Sequence, residues 1–368
     1  MIGRFVSERY DFARRQEIAR SGPGWSGKVW QELALLGLLA LPVPTADGGL
    51  GGGGVEAMIV GEAFGRALLV EPYLPCVIMM AAALGQFNSG VRASVAAGLS
   101  DGSRLFAIAA GQVIVEDNKL YGRLPMVLGG DAANALLVSA RATSGELSLC
   151  LFDAIGAGVT RSNFALHGGG RAAEIVLDGV RGDEVATGLR ADRAICDANA
   201  AAVGFVAAEA LGAAAAAFEL TLEHVSIRMQ FGRPLCANQA VRHRCAEMLV
   251  ELEQLRSAAL LAAVTLAEPN EFERRRTLAA VKFVVNRSAR FIAQQSVQLH
   301  GGLGVTEESR IGHYFKRLTA MNLLFGSSDA SLAALAEVDT SVEANRIGDD
   351  AGDPASVQVR RACAELLR

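Results

Sequence analysis

No block of like charge runs through this chain. Its 35 Lys and Arg are scattered among 39 Asp and Glu, leaving a formal net charge of −4, so the basic field that a nucleic-acid partner needs is missing. Cysteine is sparse. Cys76, Cys150, Cys196, Cys236, Cys245 and Cys363 stand without a CxxC pair or a His-rich neighbour, which argues against a disulfide framework and offers no metal site. The opening residues, MIGRFVSERYDFARRQ, hold no apolar run of signal-peptide length. No later stretch of about 18 apolar residues escapes a charge or a glycine. The expectation is a cytoplasmic protein with no membrane span.

What is abundant is apolar side chain. With 51% hydrophobic residues among 368 and a mean hydropathy of +0.29, the chain suits two or three packed domains with extensive helix-on-helix burial, extending to a subunit interface. After Ser26, a candidate N-cap, Val29, Trp30, Leu33 and Leu36 recur at helical spacing up to the Pro42 stop. Met58, Ile59, Glu62, Ala63 and Arg66 set the period of the next helix. Between them lie Gly48, Gly49 and Gly51 to Gly54, with no strand before them and no βαβ context, so they read as a turn rather than a phosphate loop.

From about Leu105 to Val185 the period changes to that of strands. Val113 to Val115, Lys119 to Gly122, Ala135 to Ala140, Leu147 to Phe152 and Glu174 to Leu177 are short β-branched and aliphatic runs between turn residues, the pattern of an antiparallel sheet. Beyond Asp192 the helical period returns. Val241, Cys245, Met248, Leu252, Leu255 and Ala259 step by four and three, as do Leu278, Val281, Val285, Ala289, Ile292 and Ser296. A further helix is expected over roughly 198 to 229 and a fourth from near Leu323. The predicted class is therefore α+β: an N-terminal helical domain (1–103), a middle antiparallel β-domain (104–190), a C-terminal four-helix bundle (191–338) and a tail (339–368) ending in an amphipathic stretch, Val357 to Leu367.

Two motifs sharpen this order of elements. One is Arg228-Met-Gln-Phe-Gly-Arg-Pro-Leu, followed by Gln239 and Arg242-His-Arg; the other is Gln298-Leu-His-Gly-Gly-Leu-Gly-Val-Thr-Glu-Glu. Together they closely resemble the signature segments of the acyl-CoA dehydrogenase family. ERYDF at Glu8 to Phe12, GWS at Gly24 to Ser26, EAFGR at Glu62 to Arg66, EPYL at Glu71 to Leu74, RAAEI at Arg171 to Ile175 and HYFKRLT at His313 to Thr319 extend the resemblance from Glu8 to Leu335, toward the small subunit of pimeloyl-CoA dehydrogenase.

The resemblance implies FAD as cofactor, an acyl-CoA substrate, and electron-transfer flavoprotein as a further partner. The motif residues have the right chemistry. Arg228 offers a planar, permanently charged donor fork suited to a pyrophosphate. Gln230 and Gln239 add uncharged donors and Phe231 an apolar wall, while Gly301 and Gly302 leave backbone N–H groups uncovered. In the family, as the resemblance implies, the positions of Arg228, Phe231, Gln298 and Gly302 reach across a dimer interface to the neighbouring subunit's FAD.

Other family residues are absent. The family's carboxylate base lies in a Tyr-Glu-Gly-Thr segment, where this chain has Leu324-Phe-Gly-Ser-Ser-Asp, so Phe325 replaces the glutamate; the alternative base position on an earlier helix falls at Ala202. The Thr-Glu-Pro…Gly-Ser-Asp loop is missing between Phe106 and Lys119, and Trp-Ile-Thr reads Met126-Val127-Leu128. Kept residues match those serving a neighbour's cofactor, and lost residues match those serving the chain's own. The expectation is a non-catalytic subunit that pairs with a second acyl-CoA dehydrogenase subunit in a heterotetramer degrading fatty acids or steroids. Two alternatives stand beside it: an active homo-oligomer with Asp329 as atypical base, one helical turn from Phe325, and a flavin-free scaffold.

Overall fold

The structure, a computed structural model, describes residues 2–337. The expected tail and its amphipathic end lie outside the described residues. Helices α1 (Ile2–Arg9), α2 (Phe12–Arg20), α3 (Gly27–Leu35), α4 (Gly54–Ala67), α5 (Met79–Ala83) and α6 (Ser89–Ser100) form the first part. Ser26 caps α3 through its hydroxyl, which accepts from the Val29 N–H at 3.3 Å, and Val29, Trp30 and Leu33 are all buried, as the spacing predicts. The glycine run is a turn. Gly48 and Gly51 take left-handed φ values of 83° and 69°, and a Cβ on Gly54 would sit 2.1 Å from the Ala263 carbonyl oxygen, so close packing demands glycine there.

The middle part is an eight-stranded sheet in the order β6-β7-β3-β2-β4-β5-β8, with β1 beside β4. Its strands are β1 (Phe106–Ala109), β2 (Gln112–Glu116), β3 (Lys119–Leu128), β4 (Ala135–Ala142), β5 (Leu147–Asp153), β6 (Val159–Ala165), β7 (Arg171–Val180) and β8 (Asp183–Thr187). Most pairings are antiparallel, but β1 and β2 both run parallel to β4. The reason is topological. β1 and β2 lie in line along one edge of β4, β3 turns back through a hairpin, and the chain then crosses over to start β4 in the original direction. Strands β1, β6 and β8 were not foreseen; β6 exposes most of its residues, so it lacks the alternating apolar signature.

Helix α7 (Gly188–Ile227) begins about ten residues earlier than its apolar period suggests. By length and composition it could cross a bilayer, yet 89% of its apolar window is buried inside the fold, as befits a central core helix. It packs with α8 (Gln239–Thr265), α9 (Glu271–His300) and α10 (Arg310–Met321). The expected helix from Leu323 is corrected: a turn at 322–325 separates α10 from a helical segment at 328–337, because Phe325 and Gly326 take φ values of 56° and 115°.

Helices α4 and α7 cross at glycine on glycine. A Cβ on Gly65 would lie 1.9 Å from the Glu209 carbonyl oxygen, and one on Gly212 would lie 1.9 Å from that of Glu62. Backbone cannot yield as a flexible side chain can. Gly65→Ala should therefore cost about 3 kcal/mol of unfolding free energy, whereas Gly90→Ala, whose Cβ would meet nothing within 4 Å, should stay within about 0.5 kcal/mol. Urea unfolding of the two variants checks this; equal effects would mean the helices can move apart freely.

Candidate functional site

The residues of the two signature motifs converge at one end of the bundle. Arg228 is the C-cap of α7, and the chain then forms a two-residue hairpin between β9 (Met229–Gln230) and β10 (Arg233–Pro234). Phe231 and Gly232 sit at its tip with φ of 52° and 74°, the pair of left-handed conformations that such a turn requires. Phenylalanine is a poor choice for that conformation, and the residue is 92% exposed.

One helical turn before Arg228, His224 stacks on His300, with ring centroids 4.3 Å apart and planes 21° from parallel. His300 ends α9, immediately before Gly301 and Gly302, and its Nδ1 donates to the Ser296 carbonyl at 2.8 Å. This stack, missed by the sequence reading, joins the Arg228 hairpin to the Gly301–Gly302 turn. Burial holds both imidazoles below their ordinary pKa; proximity to each other and to Arg228 adds to the effect at His224. Sequence offered a hint only in the histidine that precedes the paired glycines.

Arg228, Gln230, Gln239, Gln298, Gly301 and Gly302 are all exposed. Cβ atoms on Gly301 and Gly302 would meet nothing within 4 Å, so their backbone faces open space. Around them Ile227, Met229, Leu303 and Val305 are more than half exposed. Gly304 differs: a Cβ there would approach the Val297 carbonyl oxygen at 2.9 Å, which makes it a packing glycine. A permanently charged fork, bare amides and an exposed apolar rim suit a dinucleotide phosphate held against another protein surface.

Among the described residues, neither of the family's base positions holds a carboxylate. Ala202 is fully buried, and Phe325 packs against the same apolar cluster, so both base positions lie within one hydrophobic region. Asp329 is exposed. Lys282 and Asn286 of α9 anchor the ends of the Phe325 turn, donating to the Met321 and Gly326 carbonyls, each at 3.1 Å. Only Ala110 and Gly111 link β1 to β2, and Val127 is buried while Met126 points to solvent.

A cavity of about 70 Å³ remains between Phe64, Tyr73, Leu128, Phe205, Leu324 and Glu71. That admits a few waters and is far below the roughly 300 Å³ of a small-molecule pocket. Arg317 crosses its wall, paired with Glu209 and donating to the Gly169 carbonyl at 3.1 Å. Glu71 was not foreseen as a site residue. Burial pushes its carboxyl up to about 6, and it accepts from Tyr10 Oη at 2.8 Å, so the ERYDF and EPYL motifs meet in one buried hydrogen bond.

Helices, then a mixed sheet, then a helical bundle carrying this composite turn define the acyl-CoA dehydrogenase class of flavoprotein oxidoreductases. The acyl-CoA dehydrogenase N-terminal domain matches residues 1–89 and the C-terminal domain residues 204–338. The chain belongs to this family. Acyl-CoA dehydrogenase FadE27 of Mycobacterium tuberculosis is 26% identical over 86% of this chain and 89% of its own length. Acyl-CoA dehydrogenase IpdE2 of Mycolicibacterium smegmatis is 28% identical over 85% and 88%. The ChsE4-ChsE5 complex from Mycobacterium tuberculosis superposes with a TM-score of 0.82 at 24% identity, covering 91% of this chain and 94% of the matched chain.

The histidine stack makes a pH prediction. Both rings resist protonation in the fold, so below the ordinary value of 6.5 the unfolded chain takes up more protons than the folded one. Stability from the stack is present above that pH and is lost as pH falls toward the lowered folded values. Replacing both rings, His224→Phe with His300→Phe, keeps the stacking and removes the titration. Its urea midpoint should fall less than the wild type's between about pH 7.5 and 5; parallel curves would mean the stack does not titrate.

Proposed function

We propose that this chain is the non-catalytic subunit of a heteromeric, FAD-dependent acyl-CoA dehydrogenase, and that it completes the FAD site of a catalytic partner. The carrying observation is the asymmetry of the two regions. The Arg228 hairpin and Gly301–Gly302 turn face outward and open, whereas the chain's own base positions, Phe325 and Ala202, carry no carboxylate and pack in one apolar cluster. FAD supplies hydride acceptance for α,β-desaturation of an acyl-CoA thioester. This chain's part is binding: Arg228 grips the pyrophosphate, Gln230, Gln239 and Gln298 donate beside it, and the Phe231 ring shields one side from water. The partner contributes the carboxylate base, and electron-transfer flavoprotein receives the electrons.

The ChsE4-ChsE5 structure, a complex of two named components, supports a two-subunit assembly by fold likeness. A homo-oligomer using Asp329 lacks support, since an exposed carboxylate has no dry setting in which to gain basicity. The open amides and unpaired guanidinium also weigh against a flavin-free scaffold.

Arg228→Ala should lower flavin affinity of the assembled complex by roughly ten- to a hundredfold, the worth of a charge-assisted hydrogen bond to phosphate. Arg228→Lys should restore it only in part, because the planar fork is lost. Arg275→Ala, at an exposed position on α9, serves as control. Equal FAD retention by all three sinks the role given to Arg228. Alone, the chain should lack dehydrogenase activity, and Phe325→Glu should not create it; turnover of an acyl-CoA at an ordinary rate of about 10 per second by either protein would contradict the non-catalytic reading.

A further inference from the structure

A second polar cleft lies away from the Arg228 hairpin, between α2, the β6–β7 turn and α10. Arg15, Gln16, Arg20, Arg171, His313 and Lys316 line it above the glycines 168–170, with Glu307 at its edge. Four permanent positive charges thus face one lining carboxylate, on a chain whose overall formal charge is −4. Asp131 stands behind Arg171, paired with it at 2.6 Å, and Glu307 pairs with Lys316. The excess remains positive after both pairs are counted.

Arg15 is the unusual member. It is 3% exposed, and its guanidinium donates to the Leu68 and Gly168 carbonyls at 3.3 and 3.1 Å and to His313 Nδ1 at 3.2 Å. None of these acceptors carries charge. Since His313 Nδ1 accepts from Arg15, its Nε2 carries the proton and donates to the Glu307 carbonyl at 3.0 Å, so the ring is neutral as well. Burial and the nearby Arg317 guanidinium, whose own carboxylate is Glu209, both press against the charge on Arg15. Buried cations ordinarily have an anion for company. Glycines 168, 169 and 170, with φ of 91°, 97° and 80°, bring the backbone close to these cations: a Cβ on Gly168 would lie 2.5 Å from the Arg317 backbone and one on Gly169 2.5 Å from Arg15 Nη2.

We propose that this cleft binds a phosphate group, with Arg15 as its buried charge and Arg20 and Lys316 closing from the rim. A phosphate dianion brings the charge and the several acceptor oxygens that guanidinium and ammonium donors match. The site is independent of the flavin-binding turn, and both free phosphate and a phosphate ester share the required chemistry.

Calorimetric titration of the full chain, at fixed ionic strength in chloride, tests it with two probes: inorganic phosphate and adenosine 3′,5′-bisphosphate. Saturable binding of either is expected. Comparable affinities identify free phosphate as the ligand, and a tighter bisphosphate identifies a phosphorylated compound. The double variant Arg20→Ser with Lys316→Met, both away from the buried core, should weaken binding by at least about tenfold, while Arg228→Ala should leave it unchanged. No saturable binding of either probe, or undiminished binding by a folded double variant, would overturn the proposal.

Discussion

Arg317 is a guanidinium largely withdrawn from water, and its acceptors come from two distant parts of the chain, Glu209 in α7 and the Gly169 carbonyl between β6 and β7. A buried charge deprived of such partners costs several kcal/mol, so the bundle and the sheet are tied at this point. Glu209 is in place because α7 lies against α4 closely enough that Gly65 contacts its backbone. The same crossing sets Phe64, Tyr73 and Phe205 edge-on and tilted against one another. Between them, these contacts wall a cavity of about 70 Å³. The ion pair that ties the bundle to the sheet thus also forms part of this cavity's wall.

The outward-facing turn follows a different logic. The hairpin turn requires a left-handed backbone at Phe231 but not a phenylalanine there, and the amides of Gly301 and Gly302 lie bare. Such features persist when a ligand or partner uses them. The exposed apolar residues beside them make the region read as one half of an interface. An inward loss and an outward retention on a single chain are reconciled if catalysis belongs to a second subunit and the cofactor lies between the two.

Much of this architecture was legible in the sequence because helix burial writes a clear period. The apolar steps from Met248 to Ala259 and from Leu278 to Ile292 are buried as their spacing requires. Strand β6 was silent because it is largely exposed, and the parallel pairing of β4 escaped notice because alternation reports a strand's faces and not its neighbours' directions. The break at Phe325 was missed because phenylalanine carries no turn signal. Arg228, Gln298 and the paired glycines stood out in the sequence through their motifs. The His224–His300 stack joins residues 76 positions apart in the chain, and Arg15 and Arg317 donate to neighbouring carbonyls of one glycine turn, so only tertiary structure could reveal either.

The number of flavins in the assembled enzyme distinguishes a shared cofactor site from a private one. Purifying this chain with its catalytic partner and measuring FAD per pair of subunits by absorbance after denaturation gives the answer directly. One FAD for each pair, with none retained by this chain alone, is the result expected of a subunit that lends its surface to a neighbour's cofactor. Two FAD for each pair, or a full equivalent bound by the isolated chain, would show that it keeps a flavin site of its own and would contradict the division of labour argued for it.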